Sequence, residues 1–247
     1  MARAYTRIDH GGAVLGNDWL ERRWSAFLGT TVELRQKLAR GYVEWIAVPG
    51  PDFLLEAGGV PVTPERLGPV EWSESFNAFG GTISARRAGP GLVVDVRTTA
   101  LHDLPAMVRE VSVLNTGEGP VAVAVRGVDR LGLRRDGAGV LYGNPAVRAE
   151  SATVRGGIGA AELRGHGRLG LLMGMEPSGT LALFEPDHDW CLSGAAHGEE
   201  LPPGACRVFG VSFLMPYEGD PAPVSGAPLA ALLRRLREPV PTPEEGA

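Results

Sequence analysis

Cysteine is nearly absent from this 247-residue chain, which holds only Cys191 and Cys206. Two cysteines at that separation match no zinc-ligand spacing and cannot staple a disulfide framework, so both are expected as buried free thiols. Lysine is scarcer still: Lys37 is the only one among 24 basic residues, a bias that reads as GC-rich coding rather than a chemical requirement. Positive charge is neither in excess nor clustered. With a net charge of −5 and a pI near 5.6, the chain lacks the basic face that neutralises phosphates, which argues against nucleic-acid binding. No run approaches the ~20 apolar residues of a membrane span. The first 12 residues carry charges and no apolar centre, so they do not read as a secretory signal. A soluble cytoplasmic protein without membrane association is expected. No repeat of fixed period appears, which argues against a propeller or solenoid. Long uninterrupted helices are excluded by abundance rather than absence. There are 35 glycines and 20 prolines, nearly twice the roughly 12% of average usage, and each costs about 1–3 kcal/mol inside a helix.

What remains is a hydrophobic fraction of 44% cut into many short segments. "AVLGNDWLERRWSA" and "TTVELRQKL" read as strands, with Gly16-Asn17-Asp18 as a turn and Arg22 and Arg23 as solvent-facing breaks. Trp72–Phe79, Gly81–Arg87 and Leu92–Thr98 follow as strands, the last two joined by the turn "RRAGPG". "AMVREVSVLN" and "VAVAVRGVDRLGL" form a hairpin across "TGEG", with Met107, Glu110, Ser112 and Leu114 on one side and Val108, Val111 and Val113 on the other. Arg109 and Glu110 sit in that strand as a solvated face or as the lining of a cleft. "CRVFGVSFLMP" closes the set, with Val208, Val211 and Phe213 packing beside Leu214. A dozen or more strands spaced by about ten residues point to an all-β sandwich or barrel. One segment has helical period. "SGAPLAALLRRLRE" places Leu229, Leu232, Leu233 and Leu236 on one stripe, with Ser225 as N-cap and Pro239 as terminator. The expected organisation is a sandwich over 1–224, an amphipathic helix over 225–238 packed on it, and a disordered tail over 239–247.

Four patterns occur here in one order: "LGNDWLERRW", "PDFLLEAGG", "LPAMVREVSVLNTGEGPVAV" and "LPPGACRVFGVSFL". Together they make the chain resemble the N-terminal β-supersandwich domain of the α-galactosidases of glycoside hydrolase family 36, a galactose mutarotase-like fold. The counterparts of that domain's strand and turn residues are Asn17, Leu20 and Arg22, then Arg109 and Asn115, then Leu201, Pro203 and Gly204. The resemblance spans roughly residues 10–216 and implies a large antiparallel sandwich. In that family the chemistry belongs to a following barrel with two catalytic carboxylates. The present 247 residues leave no length for a further barrel of about 250 residues, so hydrolysis by that mechanism is not expected of this sequence.

Aldose epimerases share the fold class and act without a barrel. Their chemistry needs a general acid and a general base, usually His and Glu, facing one sugar ring. The histidines here are His10, His102, His166, His188 and His197, and the epimerase motif joining Asn and His is absent. His102, in "ALHDLP", reads as part of a strand connection. "FEPDHDWCL" gathers Glu185, Asp187, His188 and Asp189. Those oxygens suit a hard cation, but Pro and Asp in that order suit a turn better. No metal or cofactor is therefore implied. "EWSESFNAF" mixes aromatic rings with hydrogen-bonding groups, as a sugar-binding face does. The candidate ligand-binding residues are Trp72, Glu74, Asn77 and Phe79 from that stretch, with His102 and Arg109; no catalytic residue is assigned.

Three functions remain open. One is a non-catalytic carbohydrate-binding or glycosidase-associated sandwich. The second is a stand-alone sugar epimerase or mutarotase, and the third a structural or assembly module. The corresponding partners are a carbohydrate ligand, a separate glycosidase, or a second copy of the chain.

Overall fold

The computed structural model describes residues 3–50, 52–127, 129, 131–133, 137–142, 147–148, 153–155, 158–163, 169–176, 180–182, 193–195, 198–219 and 227–237. In chain order the strands are β1 (Tyr5–Asp9), β2 (Gly12–Gly16), β3 (Leu20–Ser25), β4 (Thr31–Lys37), β5 (Tyr42–Glu44) and β6 (Ile46–Val48). Then come β7 (Leu54–Ala57), β8 (Val60–Val62), β9 (Glu71–Phe76), β10 (Gly80–Gly89), β11 (Leu92–Leu101), β12 (Met107–Asn115) and β13 (Val121–Gly127). The remainder are β14 (Gly132–Leu133), β15 (Gly137–Tyr142), β16 (Val147–Arg148), β17 (Thr153–Arg155), β18 (Ile158–Leu163), β19 (Leu169–Glu176), β20 (Thr180–Ala182), β21 (Ser193–Ala195), β22 (Glu199–Leu201) and β23 (Cys206–Glu218). One helix, α1 (Ala227–Arg237), follows. The chain is an all-β antiparallel sandwich with one short C-terminal helix.

A nine-stranded sheet in the order β16-β15-β18-β19-β23-β12-β11-β10-β9 is the floor. Two smaller sheets roof it: the meander β1-β2-β3-β4-β5 and the sheet β22-β13-β7-β8. Each roof has its own core. Leu15, Leu20, Trp24 and Leu34 of the meander pack on Ile83, Met107, Leu171 and Leu214 of the floor. Leu55, Val123, Val125 and Leu201 of the other roof pack on Val94, Val96, Val111 and Val113. The period-two alternation of β11 and β12 makes this possible by presenting every second residue to the roofs.

The opposite face of the floor carries α1, whose Leu229 and Leu232 are buried against Val108, Leu172, Phe213 and Met215. Leu233 and Leu236 pack beside them, so the helical stripe docks on its own sandwich. Ser225, Pro239 and the segment 239–247 lie outside the described residues.

The expected hairpin of "AMVREVSVLN" with "VAVAVRGVDRLGL" does not form: β12 pairs β11 and β23 in the floor, and after the turn the chain crosses to the roof, where β13 pairs β7 and β22. Several side-chain expectations change as well. Met107, Arg109, Val111 and Val113 face the roofs, while Glu110, Ser112 and Leu114 point the other way; Val108 joins them under the helix. The strand keeps strict period two from its first residue, so Met107 and Val108 exchange faces. Val208 is exposed rather than packed, and Cys206 is an exposed free thiol rather than a buried one. Both lie at the end of β23 beyond the helix's reach. Arg22 is fully buried, not solvent-facing. Cys191 and the acidic segment Glu185–Asp189 lie outside the described residues.

The hairpins show why glycine and proline are plentiful. Gly58 and Gly59 have φ of 57° and 75° and turn β7 into β8 in two residues, the geometry that matches strand twist. Pro61 then sits on β8, the edge of its sheet, where a missing N–H blunts edge-to-edge pairing.

Candidate functional site

The candidate ligand-binding residues fall into two groups on the floor sheet. Glu74, Asn77, Phe79 and His102 lie near one end of β9, and Trp72 and Arg109 line a crevice further along.

At the first location Asn77 makes the turn from β9 into β10. Its Oδ1 accepts the backbone N–H groups of Phe79 (2.8 Å) and Gly80 (3.0 Å), an Asx turn. His102 sits in the connection from β11 to β12. Its Nδ1 accepts the N–H of Ala4 at 3.0 Å, and its Nε2 lies 3.3 Å from the Asn77 carbonyl. An accepting Nδ1 assigns the proton to Nε2, which donates to that carbonyl. Both ring nitrogens are therefore spent on backbone. His102 pins the N-terminal strand to the β9–β10 turn and has no free nitrogen for proton transfer. Glu74 accepts from the Thr6 hydroxyl at 2.6 Å, a second tie between β1 and β9. Phe79 is exposed, with the Arg235 guanidinium 5.4 Å from its ring centre. Arg235 also holds Asp103 through two bonds of 2.8 and 2.9 Å. That hydrogen bond leads the causes that hold the Asp103 carboxyl below its ordinary range.

The second location centres on charges that hydrophobic patterning should exclude. Arg22 of β3, Asp52 just before β7, Arg109 of β12 and Asp129 just after β13 are all buried. They sit between the two roofs. Arg22 donates to Asp129 from both terminal nitrogens, at 3.0 and 2.8 Å, and to Asp52 at 3.1 Å. Its Nε donates to the Thr31 hydroxyl at 2.8 Å. Asp52 also accepts from Arg109 Nη1 (3.0 Å), the Trp24 indole (2.8 Å), and the Thr31 amide (2.6 Å) and hydroxyl (2.7 Å). Two arginines and two aspartates balance in charge, and five donors converge on one carboxylate. Burial pushes Asp52 up, but Arg109, Arg22 and the Thr31 hydrogen bonds outweigh it and hold the carboxyl below its ordinary range. Burial likewise works against the Arg22 charge, and Asp129 and Asp52 overcome it.

Trp72 is half-buried against Trp24, with ring centres 6.2 Å apart, and its indole donates to the Ala26 carbonyl at 3.3 Å. The crevice lined by Trp24, Trp72, Arg87, Thr98 and Arg109 has a volume of about 10 Å³, room for roughly one water. A roomier hollow of about 410 Å³ lies further along β10 and β11 toward their turn, among Val60, Val62, Leu67, Leu92 and Val121. It is mainly apolar. Its buried Asn115 is consumed by the β12–β13 turn, donating to the Gly119 and Leu201 carbonyls and accepting from Gly117 N–H.

The residues that carry the family resemblance are thus structural ones. Asn17 Oδ1 caps the turn before β3 by accepting from Trp19 and Leu20 N–H, and its amide reaches the Leu101 carbonyl. Gly204 has φ 76° in the turn before β23, and its N–H donates to the Asn115 carbonyl. No group of His, Cys, Asp and Glu among the described residues could hold a metal ion. No helix among them is long and apolar enough to cross a membrane.

No family model matches the chain, and no curated protein matches it in sequence. Solved structures do match. The galactosidase domain of an α-galactosidase–sucrose kinase superposes with a TM-score of 0.63 at 11% identity, covering 87% of this chain and 42% of that one. An α-galactosidase from Lactobacillus brevis gives 0.56 at 10% identity, over 87% and 41%. The family 36 α-galactosidase AgaA from Geobacillus stearothermophilus gives 0.53 at 8% identity, over 88% and 41%. The likeness is one of fold. The chain resembles the N-terminal β-supersandwich domain of family 36 α-galactosidases and spans about two fifths of the length of these proteins.

The candidates that sequence reasoning missed are Arg22, Asp52 and Asp129. For Arg22 a signal existed. Leu20 and Trp24 bracket it at two residues on either side, so period two places it on their face.

Proposed function

We propose that this protein is a non-catalytic sandwich module of carbohydrate metabolism, working by binding a glycan or by supporting a separate glycosidase. The observation that carries this is the filled inner face of the floor sheet among its described side chains, those of β10, β11, β12, β19 and β23. Where a sugar-converting member of this fold class would present an acid and a base across a ring-sized gap, this sheet presents two apolar cores and a neutralised ion cluster. The crevice beside Arg109 has room for roughly one water. His102, the described histidine at the candidate site, has both nitrogens engaged by backbone. The fold likeness to α-galactosidases supports the carbohydrate setting. The surface offered to a glycan is the exposed end of β9, where the rings of Phe76 and Phe79 reach solvent, the latter with Arg235 over it as a hydrogen-bond donor beside the ring. A free Cys206 suits a reducing compartment, and the cytoplasm is the location this reading assigns.

The test has two arms. Polarimetry of freshly dissolved galactose and glucose should show mutarotation at the uncatalysed rate with the protein present. Acceleration that is lost in His102→Ala would overturn the non-catalytic reading. Calorimetric titration with a panel of galactosides and glucans addresses the ligand. Heat that disappears in Phe79→Ala supports the glycan form, whereas a flat response across the panel removes it and leaves support of a glycosidase.

A further inference from the structure

Two apolar features near the β10–β11 end of the sandwich have no use in the role above. The first is Phe27, at the tip of the β3–β4 loop. Its side chain is 77% exposed, the largest value among the exposed large hydrophobics of the described residues. Its backbone is nonetheless held firmly. Ser25 N–H donates to the Thr30 carbonyl, Gly29 N–H to the Ser25 carbonyl, and the Trp72 indole to the Ala26 carbonyl. Arg87 clamps the tip, donating to the Phe27 and Leu28 carbonyls from one nitrogen and to the Pro64 and Gly68 carbonyls from the other. A solvent loop needs no such anchoring. The loop presents a ring on a rigid stalk, and a preordered ring loses little freedom when it binds.

The second feature is the 410 Å³ hollow. Its rim is the exposed Val60 of β8, and its floor includes Val62, Leu67, Leu92 and Val121. Only Pro64–Gly68 separates it from the loop, because Arg87 bonds that segment and the loop together while Leu67 lines the hollow. The hollow is roomy enough for a phenyl ring.

A rigid apolar knob beside an apolar hole, neither of them satisfied among the described residues, suits a self-complementary contact. We propose that two copies pair about a two-fold axis at this end, each seating Phe27 in the hollow of the other. A two-fold axis makes the ring-in-hollow contact twice and closes the assembly at two copies. An aromatic side chain buries roughly 150–250 Å², so two rings and the walls they cover remove about 600–800 Å². That is below the ~1,200 Å² of stable complexes, so the dimer is weak and transient.

Sedimentation equilibrium of the full chain from about 10 μM to 1 mM should show the average mass rising toward that of two chains. Phe27→Ser and Val60→Arg should each weaken association at least tenfold while leaving the thermal midpoint of the monomer unchanged. An equimolar mixture of the two variants keeps one intact contact, the ring of the Val60→Arg copy in the hollow of the Phe27→Ser copy. The mixture should therefore associate more tightly than either variant alone. A chain that stays monomeric at 1 mM, a dimer indifferent to Phe27→Ser, mass growing beyond two chains, or a mixture no tighter than its components would each overturn the proposal.

Discussion

The carboxylate of Asp52 offers a sharp test of how this sandwich is held together. Asp52→Asn keeps the shape and removes the charge. Four donors converge on one oxygen, from Arg22, Arg109, Trp24 and the Thr31 hydroxyl. The other oxygen accepts the Thr31 N–H at 2.6 Å. An amide can satisfy only one of these sides. With its oxygen toward the four donors, its NH2 meets the Thr31 N–H head on. Of the two carboxylates described in the cluster, Asp129 is then the one left to face both guanidinium groups. Removing one partner from a buried ion pair costs about 3–5 kcal/mol. For a chain of this size that corresponds to a fall of about 10 °C in thermal midpoint. The pH dependence carries a second signature. The folded carboxyl is held below its ordinary range, so the unfolded chain takes up the proton first. The Asp52 contribution is complete above the unfolded value of about 3.9 and drains away as pH falls from there toward the folded value. Urea melts from pH 7 down to 3 should show this acid loss in the wild type and a flatter limb in Asp52→Asn. Arg109→Met should cost a similar amount, and the double variant should cost less than the two singles added, because the residues share a bond. A variant within about 0.5 kcal/mol of wild type at pH 7, with an unchanged acid limb, would refute the reasoning.

Other consequences follow from single contacts. His102→Ala removes the acceptor of the Ala4 N–H; it should cost about 1 kcal/mol and speed hydrogen exchange along β1 while sparing β12. Gly12 has φ 126°, and an added Cβ would meet the Trp24 carbonyl and Ala26 N, so Gly12→Ala should destabilise by about 3 kcal/mol or more in urea melts. Cys206 is exposed and should react with a thiol reagent in the native protein, while Cys206→Ser leaves the melting midpoint in place. Tyr5 donates to Glu21 and receives Lys37 at 2.8 Å. Burial first, and then the bond to Glu21, push its phenol up, so in a spectrophotometric alkaline titration Tyr5→Phe should remove a step that lies above the range of a free phenol.

The sequence exposes its strands more readily than its charges. Turn residues and alternation place β9 to β13 within a few positions, because glycine and proline act locally and period two is a local signal. The helix is equally visible, since four leucines at helical spacing leave one buried stripe. The arginines mislead for a physical reason. A charge inside an apolar run is normally solvated, and that expectation overrides the alternation that puts Arg22 with Leu20 and Trp24, and Arg109 with Met107 and Val111. What neutralises them, Asp52 and Asp129, lies 30 and 107 residues from Arg22, beyond any local pattern. "EWSESFNAF" looked like one platform, but Trp72 points inward to Trp24 while Asn77 is absorbed in a turn. His102 was legible as a residue of a strand connection. Its role as a pin between β1 and β9 depends on partners 98 and 25 positions away.

The ion cluster also bears on the order in which the chain folds. Each roof could in principle collapse onto the floor through its own apolar core. Yet Arg22 belongs to one roof, Asp129 to the chain leaving the other, and Arg109 to the floor. Neither roof can settle beside the floor with its charges neutralised until all three meet. Loop closure over more than a hundred residues is slow, so these bonds form late. Until they do, an incomplete core holds unpaired charge and stays open to water. The cluster therefore works as an assembly checkpoint. It couples two cores that would otherwise melt separately into one cooperative transition, and a fragment ending before Asp52 would strand Arg22 without its counterions.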